Sequence, residues 1–136
     1  MLPLIMKLTT AILFVTLVLS LAAAGCGASN HDCNMTALSL SPLDATASHT
    51  AAAPGNQQQF SATPVLPSGC PIPPVSFFFA TFAVSDTTNV SISNAQDQTH
   101  GTATCIGATP APATVIATAT NGHGVAVTGF ARLTCN

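Results

Sequence analysis

The sequence predicts an all-β protein, a seven-stranded β-sandwich behind an exported leader. Three observations carry this. Apolar residues alternate with period two along residues 36–135. The chain is rich in Thr, Val, Ala and Ser, with no Glu and only two Lys and Arg together, so the usual residues of a helix face are missing. Turn formers interrupt the alternation at short intervals, and seven such segments in about 100 residues fit a sandwich.

The strands follow in order. "TALSLS" (36–41) places Leu38 and Leu40 on one face, and Pro42 ends it. "QQFSAT" (58–63) turns Phe60 and Ala62 inward. The proline-dense "VLPSGCPIPP" is a loop. "FFFATFAVS" (77–85) puts Phe78, Ala80, Phe82 and Val84 on the core side. "NVSIS" contributes Val90 and Ile92, and "GTATCIG" contributes Ala103 and Cys105. "ATVIATAT" contributes Val115, Ala117 and Ala119. "GVAVTGFARLTC" contributes Val125, Val127, Ala131, Leu133 and Cys135.

The first 25 residues are of another kind. Lys7, the single lysine, precedes the apolar run Leu8–Gly25, which ends in small residues. That is the pattern of a secretory signal peptide, here residues 1–25. "AAAGC" (22–26) is similar to the lipobox of bacterial lipoproteins, with Ala23 where that family usually has Leu. The resemblance implies that Cys26 takes a diacylglycerol group and becomes the new N-terminus. Residues 26–35 then form a short tether and residues 36–136 the domain. Gly27 follows the anchor where Asp would signal inner-membrane retention in lipoproteins, so the outer membrane is favoured.

The remaining chain, about 110 residues, has room for one modest core. Its charge is almost nil: Arg132 against Asp32, Asp44, Asp86 and Asp97. Nucleic-acid binding needs a basic patch to neutralise phosphates, and no such patch can be built here. Attraction to anionic lipid through a polybasic surface falls for the same reason, so membrane contact comes from acyl chains.

"SLSP", "GNQQQFSAT", "ATFAVSDTTNVSISN", "GTATC", "ATVIATATNG" and "ARLTC", in that order, resemble the bacterial immunoglobulin-like domains of group 2. Those domains occur in exported and surface proteins, including invasin- and intimin-like adhesins. The resemblance covers most of residues 36–135. It implies an immunoglobulin-like sandwich with a structural or adhesive role. The family usually carries Trp on its third strand, where this chain has Phe82, an apolar ring able to fill the same place.

Within an immunoglobulin-like sandwich, strand direction sorts the cysteines. An odd count of five requires an explanation in an exported chain, and lipid on Cys26 leaves four. Cys33 precedes the first strand and Cys70 follows the second, which brings both to one pole. Cys105 ends the fifth strand and Cys135 the seventh, at the other pole, both on inward positions. The predicted pairs are Cys33–Cys70 and Cys105–Cys135, the second joining the two sheets.

No catalytic centre is expected. "HDC" (31–33) brings a base beside a thiol, but on a tether and with Cys33 needed for a disulfide. His31, His49, His100 and His123 share no metal-ligand spacing, and His100 and His123 read as solvated turn residues, so neither metal nor cofactor is predicted. Paired carboxylates for hydrolysis and a carboxylate cage for calcium are missing. The competing class is an enzyme or metal-binding envelope protein that works through the histidines. The expected contact site is instead apolar: Phe77, Phe79, Ile116 and Phe130 fall out of phase with the core. They are predicted to lie together on the outer face of the sheet formed by the third, sixth and seventh strands. Such a patch would serve a protein partner or self-association.

Overall fold

A computed structural model describes residues 32–77 and 79–136. The predicted leader, Cys26, His31 and Phe78 lie outside the described residues. Residues Asp32–Asn136 form one compact unit.

Its described residues form nine strands: β1 (Ala37–Ser41), β2 (Asp44–Ala47), β3 (Gln57–Gln59), β4 (Ser61–Val65), β5 (Thr81–Val84), β6 (Val90–Ile92), β7 (Thr102–Cys105), β8 (Ala113–Thr120) and β9 (Ala126–Cys135). They pair in the orders β2-β9-β8-β5, β3-β7-β6 and β1-β4. β3 and β4 are consecutive, separated only by Phe60, so the two smaller sheets share one run of chain. Phe60 keeps its backbone satisfied there by donating its N–H to the Gly101 carbonyl, 2.9 Å away.

The predicted alternation is visible in the long strands. β8 buries Ala113, Val115, Ala117 and Ala119, and β9 buries Val127, Ala131, Leu133 and Cys135. From the other sheets come Leu38, Leu40, Phe60, Val90, Ala103 and Cys105. Phe60, Leu133, Val90 and Val115 are fully enclosed. Each is worth about 1.5–3 kcal/mol relative to exposure. Small alanines fill much of the remainder, so the sheets approach closely over a thin core. Gly129 marks one close approach between β9 and β1: a Cβ there would stand 2.4 Å from the Leu38 carbonyl oxygen.

Three differences from the expected strands have local causes. Pro42 ends β1, but the chain then steps into the larger sheet as β2, parallel to β9 with Asp44 opposite Arg132. "DATA" carries only alanine as its apolar signal, which is why it escapes a periodicity reading. β5 begins only at Thr81, so strand parity does not extend to Phe77 and Phe79. Val125, expected in the core, is 57% exposed. It closes the β8–β9 turn, where its N–H and that of His123 both donate to Asn121 Oδ1 at 3.0 Å.

Both predicted disulfides form. Cys33 joins Cys70 with Cα atoms 5.5 Å apart, and Cys105 joins Cys135 at 5.7 Å. Cys105 lies on β7 and Cys135 on β9, in different sheets, so this bond crosses the core. Cys105 and Cys135 are buried, whereas Cys33 is exposed at its pole.

Candidate functional site

The outer face of β5, β8 and β9 is set by register. Ile116 stands opposite Phe130 on one side and Ala83 on the other, giving a row Ala83–Ile116–Phe130 across three strands. Phe130 is 58% exposed, Ala83 is exposed and Ile116 half-buried. The next row is Thr81–Thr118–Thr128, and on the other flank Thr114 faces Arg132. The face is thus an apolar bar on a lawn of hydroxyls, with Arg132 and Asp44 at its β2 margin.

Phe77 and Phe79 do not join it. Phe79 is partly buried and packs against the core. Phe77 is exposed but meets the His100 ring edge-on, with centroids 5.7 Å apart. It stands at the mouth of a cleft of about 270 Å³ lined also by Phe60, Ala62, Phe79, Phe82 and His100. The four-residue patch is therefore two sites: the Ile116–Phe130 pair on the sheet face, and the Phe77 ring beside His100.

His100 is not a solvated turn residue; it is 3% exposed. Its Nδ1 lies 3.1 Å from the Ala95 carbonyl and its Nε2 3.0 Å from that of Ala80, and the Phe82 ring packs edge-on at 5.4 Å. The side chain ties the start of β5 to the loop before β7. Nothing in "THG" announces this; the burial comes from two carbonyls that only the folded chain brings together. Neighbouring Asp97 turns the loop, its Oδ1 accepting the Thr99 hydroxyl at 2.6 Å and the Thr99 N–H at 2.7 Å. Those bonds, the hydroxyl first, hold its carboxyl below the usual aspartate range. Asp86 is lowered likewise, chiefly by the Asn89 side chain. Asn89 donates Nδ2 to Asp86 at 2.8 Å.

His49 reaches the chain end, its backbone N–H donating to the Asn136 carbonyl at 2.9 Å and its Nδ1 contacting the same oxygen. His123 sits on the β8–β9 turn and meets the segment before β1: its Nε2 is 2.8 Å from Asp32 Oδ2, and Asn34 contacts both. The His123 hydrogen bond is the largest cause that lowers the Asp32 carboxyl from its ordinary range. Asp32 belongs to the segment from which "HDC" was read. The structure brings it to His123, while Cys33 is occupied in its disulfide.

Among the described residues no three His, Cys, Asp or Glu side chains come together as a metal-binding group, and no helix is long and apolar enough to cross a membrane. No protein-family model matches the chain, and no curated protein matches it.

Proposed function

We propose that the chain is a non-catalytic, exported, lipid-anchored immunoglobulin-like module of a bacterial cell envelope, with a structural or adhesive role. Its strand order supports the immunoglobulin-like type. β1-β4 runs on through β3 to β7 and β6, and the second sheet is β2-β9-β8-β5. Counting β1 with β2 and β3 with β4 leaves seven strands. Two disulfides support an oxidising compartment. With the other four cysteines paired, Cys26 is the odd thiol, free for the acylation that would anchor the chain, with the outer membrane favoured as its location.

The observation that carries the interaction role is the exposed Phe130 beside half-buried Ile116 on an otherwise hydroxylated sheet face. Burying apolar surface is worth ~25 cal/mol per Å², so two such side chains can anchor a contact while threonines satisfy hydrogen bonds around them. The occupant is a protein partner or a second copy of the chain; nucleic acid is disfavoured by the missing basic patch.

Ile116→Ser with Phe130→Ser tests this. Phe130 is largely exposed, so the double variant should keep a melting temperature within a few degrees of the parent. Self-association in sedimentation velocity, or binding to isolated envelopes, should fall at least ~tenfold, the effect of losing a hot-spot pair. Unchanged association in both assays would remove the role assigned to this face.

A further inference from the structure

We infer that Asp32, Asn34 and His123 form a surface site for one borderline divalent transition ion, Cu²⁺ ahead of Zn²⁺. The inference goes beyond the envelope role and does not depend on it.

The donors come from segments far apart in sequence. Asp32 and Asn34 flank Cys33, which its disulfide fixes to Cys70. His123 rides on a turn organised by Asn121, whose Oδ1 accepts the His123 and Val125 N–H groups. The Asn121 Nδ2 donates to the Met35 carbonyl at 3.2 Å, which clamps the turn to the tether. Gly124, at φ 75°, allows the reversal. One side chain thus fixes both halves of the donor set, as outer-shell partners do in metal sites.

The spacing fits one ion. With metal–nitrogen and metal–oxygen bonds of ~2.0–2.2 Å, two ligands at right angles stand roughly 2.9 Å apart. His123 Nε2 and Asp32 Oδ2 are 2.8 Å apart. The Asn34 amide adjoins both, and a half-turn about its last bond offers carbonyl oxygen in place of Nδ2. Imidazole nitrogen with carboxylate and amide oxygen suits copper and zinc rather than calcium or magnesium, and the Irving–Williams order puts copper first. Both side chains are more than half exposed, His123 at 60% and Asp32 at 66%, and they border an open depression of about 490 Å³. Water or a ligand from outside can therefore complete the coordination. The ion would take the place of the hydrogen bond between Nε2 and Oδ2.

The test is calorimetric titration of the exported chain, without an affinity tag, with CuCl₂ and with ZnCl₂. One ion should bind per chain, copper more tightly. His123→Ala and Asp32→Asn should each weaken binding at least ~tenfold, and Asn34→Ala by less. His49→Ala, which touches only the chain end, should bind as the parent does. Electron paramagnetic resonance of the copper form should show a single imidazole nitrogen, lost in His123→Ala. Circular dichroism confirms that the variants are folded. Absence of saturable binding means that the contact is an ion pair only. Binding that survives both His123→Ala and Asp32→Asn places the ion elsewhere. Either result overturns the assignment.

Discussion

Replacing Cys105 and Cys135 together by alanine should lower stability by about 3–4 kcal/mol. The chain-entropy value for a loop of this length lies in that range, the two residues being 30 apart in sequence. Both positions are buried between the sheets, so the lost sulfur contacts add to the loss rather than offsetting it. For a domain of this size each kcal/mol moves the melting temperature by roughly 4–8 °C. A fall of at least ~12 °C is expected in a thermal melt followed by circular dichroism. The Cys33–Cys70 pair, 37 residues apart, is similar in loop length but has an exposed end. Mild reductant should therefore open Cys33–Cys70 first, and because its loop is as long, that step should itself lower the melt by a comparable amount before Cys105–Cys135 follows. Simultaneous loss of both bonds, or a drop of only a degree or two in the alanine variant, would show that the cross-sheet bond contributes little.

Gly101→Ala should be nearly as damaging, and a second glycine isolates why. Gly101 and Gly124 both have φ of 75°, a conformation that costs an L-residue about 1 kcal/mol. Around Gly124 nothing lies within 4 Å of a new Cβ. At Gly101 that Cβ would stand 2.3 Å from the Phe60 carbonyl oxygen and 3.2 Å from the Phe82 ring. The oxygen is backbone, in the run between β3 and β4, and cannot rotate away. Overpacking of this kind typically costs a further 1–3 kcal/mol. Urea unfolding should place Gly101→Ala about 3 kcal/mol below the parent and Gly124→Ala about 1 kcal/mol below. Equal losses would mean that crowding against Phe60 and Phe82 is relieved by local movement.

Most of the larger sheet can be read from sequence because β8 and β9 alternate cleanly over many residues. Leu133, Val115 and Ala117 face inward for the reason their spacing gives. The cysteine pairing is legible too: with Cys26 set aside, strand direction in the immunoglobulin-like topology and inward parity sort the other four residues to two poles. β2 was not, because an edge strand of "DATA" needs no large apolar residue: it is held by backbone pairing to β9. Phe77 and Phe79 illustrate a limit of parity. Alternation predicts a face only within a strand, and here pairing starts at Thr81. His100 and the Asp32–Asn34–His123 group depend on residues distant in sequence, and spacing along the chain carries no trace of such meetings.

The proposed export and lipid attachment at Cys26 are tested most directly by detergent partition of the parent against Cys26→Ser. Acylation requires the Cys26 thiol, whereas the folded domain uses only the other four cysteines. The parent should enter the detergent phase and be labelled by a fatty acid. Cys26→Ser should lose the label and either appear in the aqueous phase or persist as the unprocessed precursor. Equal partition and equal labelling of the two chains would contradict the lipoprotein reading.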